Sequence, residues 1–151
     1  MTHDGTTAAP LAHETTVSAV TGDDERAVLA LWEAAGLTRP WNDPTADLRS
    51  ALETSTSTVL GARLPDGSLV GTVMVGYDGH RGWVYYLAVD EAQRGAGLGR
   101  ALMVAAEAWL VSQGAPKVQL MVRATNTSVL GFYAALGYTD QSCVVLGRRT
   151  G

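Results

Sequence analysis

The stretch WVYYLAVDEAQRGAGLG occupies Trp83–Gly99 and joins an apolar run, a short acidic turn and a glycine-rich loop. An almost continuous apolar run is typical of a strand that is buried on both faces. Leu98–Gln113 follows with apolar residues at helical spacing and ends before Gly114. The loop is therefore predicted to lie at the N-terminus of a helix, where unpaired backbone N–H groups bind phosphates.

The spacing within the loop separates it from two well-known phosphate-binding loops. Gly95, Gly97 and Gly99 let the backbone approach an anion without a Cβ in the way, and Arg94 and Arg100 add positive charge. The pattern G-x-G-x-x-G fails because Arg100 takes its last position when it starts at Gly95, and no Gly-Lys-Ser/Thr follows for a Walker A loop. A turn that binds nothing and a binder of nucleotide phosphates both stay open at this point.

The segments on either side predict the rest of one α/β domain. Before the loop we expect a strand over Thr15–Val20, a helix that ends at Gly36, a helix from Asp43 to about Glu53, and a hairpin of Thr56–Leu64 with Leu69–Tyr77. After it we expect a strand over Lys117–Arg123, a helix over Ser128–Leu136 and a final strand over Cys143–Leu146. The domain is predicted to span residues 15–150, after a flexible tail over residues 1–14.

Composition and charge narrow the function classes. The chain has 151 residues and a net charge of −4, which gives no general attraction to nucleic acids or acidic membranes. Cys143 is the only cysteine, and His3 and His13 are dispersed, so we expect neither a disulfide nor a metal site. With no secretory signal and no apolar run long enough to cross a bilayer, the protein is expected to be cytoplasmic.

Two motifs together resemble one known family. Gln93–Gly99, preceded by Leu87–Asp90, resembles the acetyl-CoA motif Q/R-x-x-G-x-G/A of the GNAT N-acetyltransferase superfamily. Asn126–Tyr138 is similar to the second motif of that family, an Asn-led helix with a tyrosine and a Gly-aromatic ending. The resemblance covers about Thr15–Arg149. Within the family, Arg39–Pro44 and Gly76–Gly82 look like those of a small bacterial subgroup whose substrate is unassigned.

The resemblance implies a fold and a cofactor. The fold would be a central mixed, mostly antiparallel sheet of about six to seven strands, with helices on both faces and a splay in the middle for acetyl-CoA. The pantetheine arm would pair with the backbone of Leu87 and Val89, and the loop would hold the pyrophosphate. The cofactor-binding residues implied in this way are Leu87, Ala88, Val89, Arg94, Gly95, Ala96, Gly97, Leu98, Gly99, Arg100, Asn126 and Tyr133.

The resemblance also implies the general acid but leaves the base open. Tyr133 matches the family's acid, which protonates the departing thiolate, although a core position on a helical apolar stripe is its structural alternative. Asn126 has a helix cap as its alternative. Many relatives place a Glu before the loop, but Trp83–Val89 contains no carboxylate. The candidates for the base are Asp43, Asp78 or a water held by Tyr85 or Tyr86.

The acceptor is expected to bind at the variable loops. Candidate contacts are Trp41, Asn42, Tyr77, Tyr85 and Tyr86. Strand alternation predicts that Tyr85 shares a face with Trp83 and Leu87 and that Tyr86 points the opposite way. A hydrophobic staple is the alternative role of Trp41, and a packed strand residue that of either tyrosine.

The leading hypothesis is an acetyl-CoA-dependent N-acetyltransferase. It would move the acetyl group to a primary amine, either a protein N-terminus, a lysine or a small molecule, by direct attack in a ternary complex. A non-catalytic acyl-CoA sensor with the same fold is the alternative, motivated by the missing carboxylate before the loop. The identity of the acceptor, the length of the acyl group and a homodimeric assembly stay open.

Overall fold

The structure, a computed structural model, describes residues 15–151 as two compact parts, residues 15–121 and residues 122–151. The first part contains β1 (Thr16–Ala19), α1 (Glu25–Ala34), α2 (Pro44–Glu53), β2 (Ser57–Arg63), β3 (Leu69–Tyr77), β4 (Gly82–Val89), α3 (Leu98–Gln113) and β5 (Val118–Leu120). The second part contains the short helix α4 (Leu130–Ala135). The predicted tail over residues 1–14, with His3 and His13, lies outside the described residues.

The strands form one sheet in the order β1-β2-β3-β4-β5. The first three pairs are antiparallel, whereas β4 and β5 are parallel, with Gly82 opposite Val118. The prediction of a mixed, mostly antiparallel sheet is therefore confirmed. The prediction of six to seven strands is wrong, because the sheet of residues 15–151 has five.

The predicted final strand over Cys143–Leu146 is not formed. Val144 is 85% exposed and Leu146 is 90% exposed. β-branched residues favour a strand only where a neighbouring strand pairs with their N–H and C=O groups. Residues 122–151 contain no strand that supplies such partners. The composition of the segment is that of a strand, but the pairing that makes one is missing.

Helices cover both faces of the sheet, as two neighbouring residues of β3 show. Trp32 on α1 donates its indole N–H to Thr72 Oγ1 at 2.9 Å, so α1 lies on the face to which Thr72 points. A Cβ on Gly71 would come within 2.8 Å of Leu102 on α3. Because successive strand residues point to opposite faces, α1 and α3 lie on opposite sides of β3.

A buried cluster on the α1 face holds both short helices against the sheet. Its members are Val20, Val28, Leu31, Trp32, Leu48, Ala51, Val59 and Ala88. The apolar stripe predicted for α1 supplies Val28, Leu31 and Trp32, and α2 supplies Leu48 and Ala51. Since Ala88 belongs to β4, this cluster fixes α1 and α2 next to the strand that precedes the glycine loop.

Two glycines in the left-handed conformation bound the long helix α3. Gly97 has φ +85° at its start and Gly114 has φ +99° at its end, and the helix over Leu98–Gln113 that the sequence predicts is confirmed. Its 16 residues make α3 the longest helix among residues 15–151. None of the helices in this range is both long enough and apolar enough to cross a membrane.

Candidate functional site

The glycine-rich loop connects β4 to α3 through one acidic turn. Glu91–Gln93 forms a turn of 3-10 helix, and the Asp90 carboxylate caps it by accepting the Ala92 N–H at 3.1 Å. Gly95 then has φ +83° and Gly97 has φ +85°. Residues with a Cβ rarely adopt this conformation, so the glycines are needed for the path of the chain.

The loop presents backbone N–H groups on an open surface. The first hydrogen bond of α3 runs from Ala101 N–H to Gly97 C=O at 3.0 Å, so the amides between them have no helix carbonyl to donate to. Apart from chain neighbours, no atom lies within 4 Å of the place that a Cβ would take on Gly95 or Gly97. Arg94 and Arg100 are exposed beside these amides. Such a helix N-terminus suits a phosphate group.

The strand that leads into the loop is paired on both sides only over its first half. Its ladder with β5 ends at the pair Val84–Leu120, whereas its ladder with β3 continues to Val89. Within residues 15–121, no strand lies beside the edge of Tyr85–Val89 that points away from β3. An edge of this kind can bind an extended ligand through backbone hydrogen bonds.

The same half of β4 contains a β-bulge. Met74 lies opposite Tyr85 and Thr72 lies opposite Ala88, so two steps along β3 correspond to three along β4. At the bulge, Tyr86 has φ +51°, in the left-handed region. Bulges of this kind occur next to active sites, where they redirect side chains.

The bulge overturns the predicted alternation of Tyr85 and Tyr86. Residues opposite each other on antiparallel strands share a face, and Met74, opposite Tyr85, packs against the cluster on the α1 face. Tyr86 packs against the same cluster, with its ring centroid 3.9 Å from that of Trp32. The extra residue is the reason that two successive side chains lie on one face.

Asp47 on α2 contacts the candidate site residue Tyr86 and is not among the residues predicted from the sequence. Tyr86 donates its hydroxyl to Asp47 Oδ2 at 2.9 Å, and both residues are half-buried. Burial, together with the hydrogen bond and charge of this carboxylate, raises the pKa of Tyr86 to about 12. The only signal in the sequence is an acidic residue in the first turn of a helix, which is too common to mark a site.

The raised pKa predicts how Tyr86→Phe changes the pH dependence of stability. A phenol with a pKa of about 12 in the folded chain, against a reference value of 10.0, stabilises the fold below pH 10. That contribution is lost as the pH rises from 10 towards 12. Between pH 10 and pH 12, the free energy of unfolding measured in urea should therefore fall more steeply for the wild type than for Tyr86→Phe. Equal slopes would show that the pKa of Tyr86 is not raised in the folded chain, which would contradict its burial and its bond to Asp47.

The two carboxylates predicted as candidate bases both accept backbone N–H groups. Asp43 caps α2 and accepts from Ala46 N–H at 3.2 Å. Asp78, in the turn between β3 and β4, accepts from Arg81 N–H at 2.7 Å and from His80 N–H at 2.8 Å. These two amides hold the pKa of Asp78 below its ordinary value, which makes it a weaker base.

The candidate acceptor contacts include two aromatic side chains that are exposed to solvent. Trp41, in the loop between α1 and α2, is 54% exposed, and Tyr85 is 41% exposed. In the same loop, Asn42 donates its backbone N–H to Arg39 C=O at 3.0 Å. Tyr77 is half-buried at the end of β3. Exposed rings of this kind can pack against organic groups or cations.

The second part of the chain holds the two remaining candidates. Asn126 accepts the Ser128 hydroxyl through its side-chain oxygen at 3.1 Å. Tyr133 is half-buried on α4 and makes edge contacts with Phe132 and Tyr138, at centroid distances of 5.0 and 6.0 Å. Burial raises the pKa of Tyr133 above its ordinary value of 10.0.

Comparison with known proteins identifies the family. Residues 26–138 match the acetyltransferase (GNAT) family. The chain belongs to this family. An acetyltransferase of Pectobacterium atrosepticum is 46% identical to this GNAT acetyltransferase over 127 residues, which cover 84% of the chain and 89% of the relative. An acetyltransferase of Yersinia pseudotuberculosis is 44% identical over 127 residues, with the same coverage.

A solved structure shares the fold of this GNAT acetyltransferase. It is AAC(6')-Iy in complex with the bisubstrate analogue CoA-S-monomethyl-acetylneamine, with a TM-score of 0.77 and 16% identity. The match covers 91% of this chain and 99% of that chain, and at this identity it concerns the fold alone. The family assignment makes the protein an N-acetyltransferase, and acetyl-CoA is the cofactor of GNAT acetyltransferases.

Proposed function

We propose that this enzyme binds acetyl-CoA and transfers its acetyl group to a primary amine by direct attack in a ternary complex. One arrangement carries the proposal. The open edge of Tyr85–Val89 leads through a single turn to the amides at the start of α3. A cofactor that joins an extended arm to a pyrophosphate needs an edge for the arm followed by a helix N-terminus for the phosphates.

The donor is held mainly by backbone groups. The thioester and pantetheine arm of acetyl-CoA together pair with the N–H and C=O groups of Leu87 and Val89, while Ala88 between them is only 3% exposed and anchors the strand. The pyrophosphate accepts hydrogen bonds from the backbone N–H groups of the loop from Gly95 to Gly99, including those of Ala96 and Leu98. Arg94 and Arg100 are exposed beside the loop and add charge.

The transfer step needs one acid and one proton acceptor. The neutral amine attacks the thioester carbonyl carbon, the C–S bond breaks, and the thiolate takes the phenol proton of Tyr133. The nitrogen loses its extra proton to solvent as the amide forms, and solvent returns a proton to the Tyr133 phenolate. A phenol keeps its proton at neutral pH, so Tyr133 has a proton to give to the thiolate. Asn126 holds the cofactor arm. We assign deprotonation of the ammonium to water at Tyr85, because Asp43 and Asp78 already accept backbone amides.

The acceptor binds on the α1 face of β4. The exposed rings of Trp41 and Tyr85 support contact with its carbon skeleton, and Asn42 extends this surface. The candidate Tyr77 alternates with Gly76 on β3 and points to the opposite, α3 face, where its ring lies 4.0 Å from the place of a Cβ on Gly114. The net charge of −4 favours a cationic amine. Protein N-termini, lysine side chains and small-molecule amines share this chemistry. The analogue bound to AAC(6')-Iy makes neamine the first amine to test.

A panel of amines tests this function by release of the CoA thiol. We expect release only when acetyl-CoA is mixed with an active amine, chosen among neamine, a polyamine, a lysine peptide and a peptide with a free N-terminus. The N-acetylated form of the active amine is the matched control, because it keeps the skeleton but lacks the nucleophile. Intersecting double-reciprocal lines are expected for a ternary complex, whereas parallel lines would indicate an acetyl-enzyme and contradict direct attack. Binding of acetyl-CoA without release by any amine would favour the sensor.

A further inference from the structure

Tyr86 adopts a conformation that its neighbours must stabilise. Among residues 15–151, only Tyr86 and Ser142 combine a side chain with a positive φ. For a bulky residue this conformation is unfavourable, because the Cβ approaches the backbone too closely. Strained residues of this kind persist only where surrounding contacts hold them, and they cluster at active sites. The contacts of Tyr86 therefore identify the residues that shape the bulge.

The Thr72 hydroxyl makes the contact that orients the bulge backbone. It donates to the Tyr86 C=O at 3.3 Å and accepts the Trp32 indole N–H at 2.9 Å. Thr72 is the only buried polar residue in the described part of the chain, with 0% exposure. A buried hydroxyl is tolerated because both of its hydrogen-bonding functions are used. Val at this position would have nearly the same shape and neither function.

The direction of the Tyr86 carbonyl determines that of the next amide. Residues 15–151 contain no cis peptide bond, and in a trans peptide the C=O and the following N–H point in opposite directions. Because the Tyr86 C=O points to Thr72 on β3, the Leu87 N–H points away from β3. That side of β4 is its open edge, where the ladder with β5 has already ended at Val84.

Two further contacts fix the side chain of Tyr86. Its ring is stacked on that of Trp32 with an angle of 10° between the planes, and its hydroxyl donates to Asp47. Trp32 is fully buried, so the ring on which Tyr86 lies is itself held by the core. Trp32 therefore contributes in two ways. Its ring stacks on the Tyr86 side chain, and its N–H donates to the Thr72 hydroxyl, which in turn donates to the Tyr86 C=O.

We propose that Thr72 and Trp32 are positioning residues for acetyl transfer, which hold the bulge so that the Leu87 N–H donates to the acetyl carbonyl oxygen of the bound donor. The inference rests on the proposed function, since it needs the donor along the open edge of β4. It assigns these two buried residues a role beyond packing. An N–H group that is held in place before the reaction stabilises the negative charge that develops on this oxygen.

Thr72→Val and Thr72→Ser separate positioning from packing. Calorimetry gives the ratio of the Kd for CoA to the Kd for acetyl-CoA. Because CoA lacks the acetyl carbonyl, this ratio measures the contribution of the hydrogen bond from the Leu87 N–H, and no amine substrate is needed. We expect the wild type to bind acetyl-CoA more tightly and Thr72→Val to bring this ratio close to one. The kcat of Thr72→Val should fall about tenfold or more. Thr72→Ser keeps the hydroxyl and should stay within about threefold of the wild type in both measurements.

Two more variants keep the test decisive if Thr72→Val folds poorly. Trp32→Phe retains a ring for stacking but loses the N–H, and it should shift the ratio and kcat in the same direction to a smaller extent. Val59→Ala removes buried volume from the same cluster and should lower the melting temperature while leaving the ratio and kcat unchanged.

Three results would overturn the inference. The first is a Thr72→Val protein with wild-type ratio and kcat, the second is an equal loss in Val59→Ala, and the third is a wild-type ratio of one. Failure of the proposed function would look different, because the wild type itself would then either bind neither CoA nor acetyl-CoA or release no CoA thiol with any amine.

Discussion

Tyr133→Phe is expected to lower kcat by about 100-fold or more and to leave the Kd for acetyl-CoA nearly unchanged. The substitution removes the phenol proton that the departing thiolate takes, and it keeps the ring that contacts Phe132 and Tyr138. Release of the CoA thiol at saturating acetyl-CoA and amine measures the loss of kcat, and calorimetry measures the binding of acetyl-CoA.

Tyr138→Phe is the matched control for this prediction. It also removes one phenol hydroxyl from the second part of the chain, next to Tyr133, but from a residue without an assigned proton transfer. Its kcat should equal that of the wild type. A Tyr133→Phe enzyme with wild-type kcat would remove Tyr133 from the mechanism, and equal losses in both variants would point to a general disturbance of α4.

Gly97→Ala is expected to weaken the binding of acetyl-CoA at least about tenfold, which is a loss of about 1.4 kcal/mol. Gly97 has φ +85° at the N-cap of α3, and the added methyl group would occupy open space on the surface that receives the pyrophosphate. The strain of the left-handed conformation should also lower the free energy of unfolding, by about 1–2 kcal/mol. Calorimetry and urea unfolding measure the two effects separately.

Gly67→Ala separates lost binding from lost stability. Gly67 has φ +91° in the turn between β2 and β3, and no atom lies within 4 Å of its added Cβ. The two variants should therefore lose similar stability, while only Gly97→Ala loses affinity for acetyl-CoA. Wild-type affinity in Gly97→Ala would contradict the assignment of the loop to the pyrophosphate.

The parts of the fold that follow from short-range signals were predictable. The bounds of α3 follow from its apolar spacing and from Gly114, and the hairpin that pairs β2 with β3 follows from the turn residues at 65–68. The stripe of Val28, Leu31 and Trp32 is buried as its spacing predicts. Each of these features depends on residues that are neighbours in the chain, so the local sequence pattern is sufficient to predict it.

Features that depend on contacts between distant residues were not predictable. The bulge at Tyr86 falls within an apolar strand whose residues show no break, and it became visible only from the register with β3. Asp47 is 39 residues from Tyr86 in the chain, and Trp32 is 40 residues from Thr72. No spacing rule brings such pairs together, because the helices and the sheet must first pack.

The Cys143–Leu146 segment is an element that was predicted from its composition but is not formed, because it too depends on a distant partner. Its composition favours a strand, yet the segment stays exposed, because a strand needs a partner and a sequence window contains only one side of the pair.

The glycine loop and the Asn126–Tyr138 motif determined, from the sequence by itself, that this chain resembles GNAT acetyltransferases and how β4, the loop and α3 follow one another. Local geometry is sufficient for this, since glycines and helix signals act over a few residues. Only the tertiary structure decided how β4 is shaped in front of that loop. It placed Tyr85 and Tyr86 on one face, ended the ladder at Val84, and directed the Tyr86 carbonyl to Thr72. These features arise from packing α1 and β3 against β4, which no single stretch of the chain contains.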